Sequence, residues 1–365
     1  MSTLLYIELV SAALKGDAGR VEGLLKAGNL DPQEFYRFLW SSHIAGTMYS
    51  VLSSSDMGAL FPAWMTERLK SSYLEQWTKN EKLLMETGIL FDLFGGGAVD
   101  VIFLKGAFLS ARYYGDIDRR AISDIDLLIR KEGLRRSDRI LRGSGYVRKS
   151  RAFPSESLAS VFTHHFEYKK NGMDLDLHWN LSTHFTFKID YARLWRESRL
   201  FTYRGRSYPV LSGEYELLFQ ILSIFKDIEL GTIKLKSFVD AYMIMRAVYD
   251  EIRWEEFFER RRGEGIFKIS LNVLDLLFRL LDLRGEFPEA AAYIDENRAL
   301  VQITDPEERA GLITRTGLSV RNKRWALALY SSGSVYSFFW WLTSLPFKLQ
   351  VYRHKGPGIF RGGKD

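Results

Sequence analysis

The order of apolar and polar residues divides the chain into a helical part, a strand-rich part and a second helical part. Up to residue 94 the apolar residues recur at the spacing of amphipathic helices. Asp31-Pro32, followed by Glu34, is typical of a helix N-cap with proline at the first helical position. Residues 67–94 predict one long helix that ends at Gly95-Gly96-Gly97, because glycine favours helix termination.

The pattern changes after the three glycines. Residues 99–104, 124–130 and 206–211 are short apolar or alternating runs that predict strands, and residues 107–114 and 132–141 predict short helices. Asn171-Gly172 separates two strand-like runs, 162–169 and 173–179. Since Asn-Gly is the preferred pair for a two-residue type I′ turn, these runs predict an antiparallel hairpin.

Helical spacing returns after residue 212, over 214–225, 234–249, 254–262 and 267–281. Strands and helices do not alternate regularly, which argues against a doubly wound parallel fold. We therefore predict an α+β protein with a small mixed β-sheet core between helical regions. The predicted boundaries are an N-terminal helical region 1–94, a core 95–212, a C-terminal helical region 213–350 and a disordered tail 351–365.

Composition and charge narrow the class of protein. Hydrophobic residues make up 46% and charged residues 26% of the 365 positions, as in ordinary globular proteins. Cysteine is absent, which excludes disulfides, thiolate nucleophiles and zinc–thiolate sites. The net charge of +6 favours anionic ligands only weakly, because the basic residues are spread along the chain. The tightest basic run, Arg260 to Arg262, is interpreted as a solvated helix face.

The apolar runs do not suggest targeting to or across a membrane. Glu8 interrupts the first one, so we expect no secretory signal, and no run offers the ~20 uncharged apolar residues of a spanning helix. We expect a cytoplasmic protein. The aromatic stretch Phe338 to Leu342 is interpreted as a helix packed against the body, with a partner or membrane-surface patch as the alternative.

Asp124 and Asp126 carry the first chemical signal. On a strand, residues two apart point to the same face, so the two carboxylates project together while Ile125 faces the core. Two adjacent carboxylates repel each other unless a cation or protons neutralise them. Oxygen ligands of this kind suit Mg²⁺, which typically binds one or two carboxylates together with substrate phosphates. An edge strand with solvated acids is the alternative for the pair alone.

Two further segments strengthen the metal interpretation. Lys105-Gly106 lies at a strand-to-helix turn, where backbone N–H groups and the helix dipole can meet a phosphate. Asp176, on the second strand of the hairpin, supplies a third acid. His178 shares its face and either orients that acid, takes a proton or makes a structural hydrogen bond. His164 and His165 receive no role, because alternation sends only one of them inward.

Four motifs in this order resemble one protein family. They are Leu104-Lys105-Gly106, Arg120, the run Asp124-Ile125-Asp126-Leu127-Leu128, and Asp176-Leu177-His178-Trp179. Together they resemble an uncharacterised nucleotidyltransferase family of the DNA polymerase β-like superfamily, over roughly residues 39–281. The usual Gly-Ser after the first strand is replaced here by Lys105-Gly106.

The resemblance implies specific roles. Asp124, Asp126 and Asp176 are expected to ligate Mg²⁺, and Asp176 is also expected to help deprotonate an attacking hydroxyl. Lys105, Gly106 and Arg120 are expected to contact the triphosphate of a nucleoside triphosphate.

The predicted function is Mg²⁺-dependent transfer of a nucleoside monophosphate from a nucleoside triphosphate to an acceptor. The acceptor is unidentified, and a small molecule, a sugar, a peptide or a protein all remain open; we do not expect nucleic acid. The alternative function is a catalytically inactive nucleotide-binding module of the same fold.

Overall fold

The described part of the chain covers most of the predicted elements. The structure is a computed structural model, and it describes residues 3–28, 30–149, 163–182, 187–230 and 234–302. The aromatic stretch 338–342 and the predicted tail 351–365 lie outside the described residues.

Helices precede the sheet, as the apolar spacing predicts. Asp31 caps the third helix through its side chain, which accepts a hydrogen bond from the backbone N–H of Gln33 at 2.8 Å, and Pro32 takes the first helical position. The long helix is 34 residues and is capped by Gly97, so the termination signal is confirmed. Among the described residues, the α-helices before the first strand are α1 Thr3–Leu14, α2 Ala18–Ala27, α3 Pro32–Ser41, α4 Ala45–Ser53 and α5 Ala63–Gly96.

The sheet is mixed, and the acidic residues Asp126 and Asp176 lie on its adjacent central strands β2 and β5. Its strand order is β3-β4-β5-β2-β1-β7-β6; β2 pairs parallel with β5, β1 pairs parallel with β7, and the remaining pairs are antiparallel. The sequence did not predict β3 and β6. The strands are β1 Val101–Leu104, β2 Ile125–Ile129, β3 Val147–Arg148, β4 His165–Lys170, β5 Met173–His178, β6 Arg199–Tyr203 and β7 Arg206–Val210.

The predicted hairpin is confirmed as β4–β5. Asn171 and Gly172 have φ values of 50° and 83°, the positive values that a type I′ turn requires at both central positions. Arg204 and Gly205, with φ values of 49° and 78°, join β6 to β7 in the same way. This second hairpin was missed because arginine is not a usual residue for that position.

Between and after the strands the chain returns to helix. The predicted helix at 107–114 is a short α-helix followed by a π-helical turn over Ser110–Tyr114. Within the residues that the structure describes, the α-helices after β1 are α6 Gly106–Leu109, α7 Leu134–Gly143, α8 Tyr191–Arg196, α9 Gly213–Leu230, α10 Leu235–Val248, α11 Trp254–Gly263, α12 Phe267–Leu281 and α13 Pro288–Glu296.

Each face of the sheet buries its own hydrophobic core. Phe103 and Leu127 belong to a core that includes the second half of α5. Leu104 and Leu128, on the opposite face, belong to a core that contains residues of both the N-terminal and the C-terminal helices. Side chains on neighbouring positions of one strand therefore enter different cores, as strand alternation requires. Among the described residues, no helix has both the length and the apolar character needed to cross a bilayer.

The basic run on α11 corrects one sequence expectation. Arg261 is fully buried, and its guanidinium lies 2.7 Å from the Glu264 carboxylate. The side chain of Arg262 remains 49% exposed. The interpretation as a solvated face is therefore wrong for Arg261, because a partner acid one turn away allows the charge to be buried.

Candidate active site

Three carboxylates meet at the junction of β2 and β5. The two strands are parallel neighbours with Asp126 opposite Asp176, and Asp124 lies one residue before β2. Because side chains alternate along a strand, Asp124 and Asp126 share the face on which Asp176 lies. The structure therefore brings together the three acids that the sequence assigned to a metal.

The electrostatics of these acids show that the site is short of positive charge. Burial, followed by the nearby Asp126 and Asp124 carboxylates, raises the pKa of Asp176 to about 8. Burial and Asp126 also raise the pKa of Asp124. Burial acts to raise the pKa of Asp126 as well, but the hydrogen bond and charge of His178, together with the charges of Lys105 and His165, outweigh it and lower that pKa. A bound cation would relieve the repulsion that holds two of the acids above their ordinary pKa.

His178 is directly engaged with the acidic site. Its Nε2 lies 2.9 Å from Oδ1 of Asp126, and the side chain is buried. The shared strand face predicts that His178 orients Asp176. In the structure, His178 instead hydrogen-bonds Asp126. Its other ring nitrogen, Nδ1, is buried and has no hydrogen-bond partner among the described residues.

His164 and His165 also lie beside the site, although no role was predicted for them. His165 pairs with His178 across β4 and β5, and the two rings stack with centroids 5.0 Å apart. His164 precedes the strand and escapes its alternation, so its ring lies 4.3 Å from that of His165. Burial lowers the pKa of His165 to about 4. The register set by Asn171-Gly172 would have identified His165 as a neighbour of His178.

The same register places Glu167 beside the site. It lies opposite Asp176 on the antiparallel hairpin, and its charge is one of those that raise the pKa of Asp176. The sequence treated the three aspartates alone and missed this fourth acid.

The Lys105-Gly106 turn connects β1 to α6 next to β2. Both residues have positive φ, 42° and 54°. The ammonium group of Lys105 donates a hydrogen bond to Oγ of Ser223 at 2.5 Å and lies 4.5 Å from the centroid of the Phe219 ring. Burial lowers the pKa of Lys105, while the charge of Asp126 opposes that effect. The lysine therefore lies within the field of the acidic site.

Arg120 is held by a residue of α10. Its Nε and one terminal nitrogen donate to the two oxygens of Asp240 at 2.7 and 2.9 Å, and the side chain is buried. Tyr114 donates a further hydrogen bond to Asp240 at 2.6 Å. The predicted contact of Arg120 with a triphosphate stays a prediction; in the structure its bidentate partner is Asp240.

The residues present fit a divalent cation. Asp126, Asp176 and His178 each offer a ligand atom, and these atoms all lie within 4.8 Å of one another. Asp124 is not part of this group of three, although its charge acts on Asp176. Carboxylate oxygens are the ligands that Mg²⁺ prefers. The uncompensated negative charge is the independent physical reason for a cation here.

Comparison with known families adds to this geometry. Residues 28–282 match the model of a family described as uncharacterised nucleotidyltransferase. The chain belongs to that family. The part that matches the nucleotidyltransferase family contains the whole sheet and helices α3 to α12, and therefore all of the predicted site residues. A search of the curated proteins finds no match.

Proposed function

We propose that the protein transfers a nucleoside monophosphate from a nucleoside triphosphate to an acceptor in a Mg²⁺-dependent reaction. One observation carries the proposal: three buried or half-buried carboxylates converge at the β2–β5 junction without enough positive charge to neutralise them. Membership of a nucleotidyltransferase family supports the same reaction class.

Asp124, Asp126 and Asp176 are the proposed ligands of Mg²⁺. When bound, Mg²⁺ supplies positive charge that offsets the negative charge of the acids and of the substrate phosphates. His178 keeps Asp126 in a fixed orientation through its hydrogen bond of 2.9 Å.

The protein groups then have separate tasks in the transfer. An acceptor oxygen forms a bond to the α-phosphorus, the bond from the α-phosphorus to the bridging oxygen breaks, and pyrophosphate leaves with that electron pair. If the acceptor is a hydroxyl, Asp176 takes its proton. Lys105 and Gly106, together with Arg120, are the proposed contacts of the triphosphate. Positioning and electrostatic stabilisation supply most of the rate in reactions of this type.

The acceptor provides a hydroxyl or phosphate oxygen on a small molecule, a sugar, a peptide or a protein. We propose a cytoplasmic setting and no nucleic-acid partner.

A transfer experiment with extract identifies the acceptor directly. The full-length protein is incubated with each α-³²P-labelled nucleoside triphosphate, Mg²⁺ and cell extract, and labelled products are separated.

Wild type is compared with Asp124→Ala/Asp126→Ala and with Asp176→Asn. Asp174→Asn is the matched control, since Asp174 is on the same strand but pairs with Lys149 and is 41% exposed. We expect label transfer by wild type and the control, and a loss of at least about 100-fold in the other variants. Equal labelling by all four proteins would refute the assigned site.

Thermal stabilisation separates the enzyme from a nucleotide-binding module. A ligand at about 100 times its Kd stabilises the native state by about 2.7 kcal/mol, so Mg²⁺-dependent binding gives a measurable rise in Tm. A rise without transfer to any acceptor supports the binding module. No Mg²⁺-dependent rise with any nucleoside triphosphate contradicts the enzyme.

A further inference from the structure

The three histidines beside the acidic site form a second cluster of metal-binding groups. One ring nitrogen from each of His164, His165 and His178 lies within 4.8 Å of the other two. His164 and His178 are only 5% and 4% exposed, so their ring nitrogens have little access to water. The proposed transfer reaction uses only His178 of the three, and only to orient Asp126.

The distance between nitrogens of two of the rings is close to that between two ligands of a tetrahedral metal. Nδ1 of His165 lies 3.4 Å from Nδ1 and 3.2 Å from Nε2 of His164. Two nitrogens bound to one tetrahedral Zn²⁺ at about 2.0–2.1 Å are themselves about 3.3 Å apart. An N–H···N hydrogen bond has a similar length, but it is directed at one acceptor. Here Nδ1 of His165 is almost equally distant from both nitrogens of His164, and the two rings meet edge to face, so the His164 ring must rotate to turn one nitrogen towards a shared ion.

Carboxylates lie on the far side of two of the rings. His178 contacts Asp126 through Nε2, which leaves Nδ1 buried without a hydrogen-bond partner among the described residues. Nε2 of His165 lies 3.6 Å from Asp176, while its Nδ1 faces His164. A histidine that binds a metal through one nitrogen usually presents the other to a carboxylate, which fixes the tautomer and makes the ligand more basic. His178 has this arrangement, whereas Nε2 of His165 faces Asp176 and Glu167 at the longer distances of 3.6 and 3.7 Å.

We propose that His164, His165 and His178 bind one transition-metal ion that prefers imidazole, with Zn²⁺ as the favoured occupant. Three imidazoles and a water molecule complete a tetrahedral zinc sphere. His178 binds through Nδ1 and retains its hydrogen bond to Asp126. The ion is distinct from the Mg²⁺ of the carboxylates, because imidazole suits Zn²⁺ whereas carboxylates suit Mg²⁺. The negative charge of the neighbouring carboxylates stabilises the positive charge of the ion.

The test uses the full-length protein after removal of metals with a chelator. Mg²⁺ is kept in excess so that the carboxylates are occupied, and Zn²⁺ is then titrated and followed by calorimetry. Co²⁺ is titrated in parallel, because its visible absorption reports a tetrahedral site with nitrogen ligands. Wild type is compared with His164→Gln, His165→Gln, Asp176→Asn and the control His43→Gln, since His43 lies outside the cluster and contacts Lys234 at 2.9 Å.

We expect one equivalent of Zn²⁺ to bind wild type and His43→Gln, and both cluster variants to bind at least about 100-fold more weakly. Melting curves of the metal-free proteins check that the variants fold. Since Zn²⁺ raises the Tm only where it binds the native state, this rise should disappear in the cluster variants. Two results would overturn the proposal: no saturable binding by wild type, or unchanged binding by His164→Gln. Unchanged binding by His164→Gln together with its loss in Asp176→Asn would place the ion among the carboxylates.

Discussion

At the scale of single residues, Lys105 has a backbone conformation that glycine adopts far more easily. Its φ of 42° and ψ of −131° lie outside the regions that side chains with a Cβ normally occupy. Such a conformation costs about 1–3 kcal/mol and persists where the surrounding structure enforces it, often at active sites. Lysine at this position is consistent with a requirement for its ammonium group beside the acids.

Replacing Lys105 separates backbone strain from charge. Lys105→Gly and Lys105→Ala both lose the ammonium group and its bond to Ser223, but only glycine relieves the strain. Relief of strain favours the glycine variant by about 1–3 kcal/mol, whereas the greater unfolded-state freedom of glycine opposes this by about 0.4–1 kcal/mol. We therefore expect the unfolding free energy of Lys105→Gly to exceed that of Lys105→Ala by about 1 kcal/mol. Urea unfolding measures the difference. Both variants should transfer nucleotide poorly; a more stable alanine variant would mean that the conformation is not strained.

Asp240 shows what a buried charge requires. It accepts hydrogen bonds from Arg120, Tyr114 and Lys236, and it is 2% exposed. Asp240→Asn leaves the buried guanidinium without its counter-charge, so we expect a loss of about 3–5 kcal/mol of unfolding free energy in urea. Glu22→Gln breaks the exposed pair with Lys26 and should leave the unfolding free energy nearly unchanged, because solvent screens that pair. Similar losses in the two variants would contradict the assignment of a buried ion pair.

At the scale of elements, α5 holds the loop that delivers the acids to β2. The side-chain amide of Asn80 donates to the backbone carbonyls of Ile117 and Arg120 at 2.5 and 2.8 Å, and Gln76 donates to that of Asp118 at 2.5 Å. A helix thus supplies the hydrogen bonds that a loop cannot make within itself.

Removing one of these donors should lower both the stability of the protein and its nucleotide transfer, although the donors lie outside the acidic site. Asn80→Leu keeps the volume but leaves two carbonyls without their donor, which costs about 1–3 kcal/mol. We also expect nucleotide transfer to fall at least about 10-fold, since Asp124 follows this loop. Thermal unfolding and the transfer assay check both effects. Lys79→Ala, an exposed change on the same helix, should leave both properties unchanged; normal transfer by Asn80→Leu would show that the loop keeps its position without α5.

At the scale of the whole molecule, the N-terminal helix α1 and the C-terminal helix α12 stabilise each other. Oγ of Ser11 on α1 donates to the backbone carbonyl of Leu281 on α12 at 2.5 Å, across 270 positions of the chain. Apolar residues of both helices belong to the core on one face of the sheet. The domain boundaries drawn from the sequence stay a prediction, but the helices before and after the sheet share this core.

A cavity in α1 should therefore weaken the whole protein. Leu9 is 1% exposed, and Leu9→Ala should lower the unfolding free energy by about 2–5 kcal/mol. Because the core is shared, unfolding in urea should remain one transition by tryptophan fluorescence and by circular dichroism. Glu8→Ala, at the exposed neighbouring position, should change the free energy by less than about 0.5 kcal/mol. An early transition confined to one probe in Leu9→Ala would indicate that α1 unfolds independently.

Local order along the chain was sufficient to predict many elements and part of the site. Some signals act only on their immediate neighbours, so they can be recognised in the sequence. They are the Asp31 cap, the three glycines at the end of α5 and the Asn171-Gly172 turn. The shared face of Asp124 and Asp126 follows from strand alternation alone. The register of the hairpin was equally local, and it would have placed His165 and Glu167 beside Asp176 and His178.

Only the tertiary structure decided which distant segments meet. The parallel pairing of β2 with β5 places Asp126 beside Asp176, and α10 supplies the partner of Arg120 from 120 positions away. The burial of Arg261 likewise depends on packing around α11. Such contacts arise from burial and charge compensation between elements that fold against each other, and these leave no periodic signal in either segment. The sequence by itself therefore determined the acids and the strands that carry them, while packing between distant elements decided that they form one site.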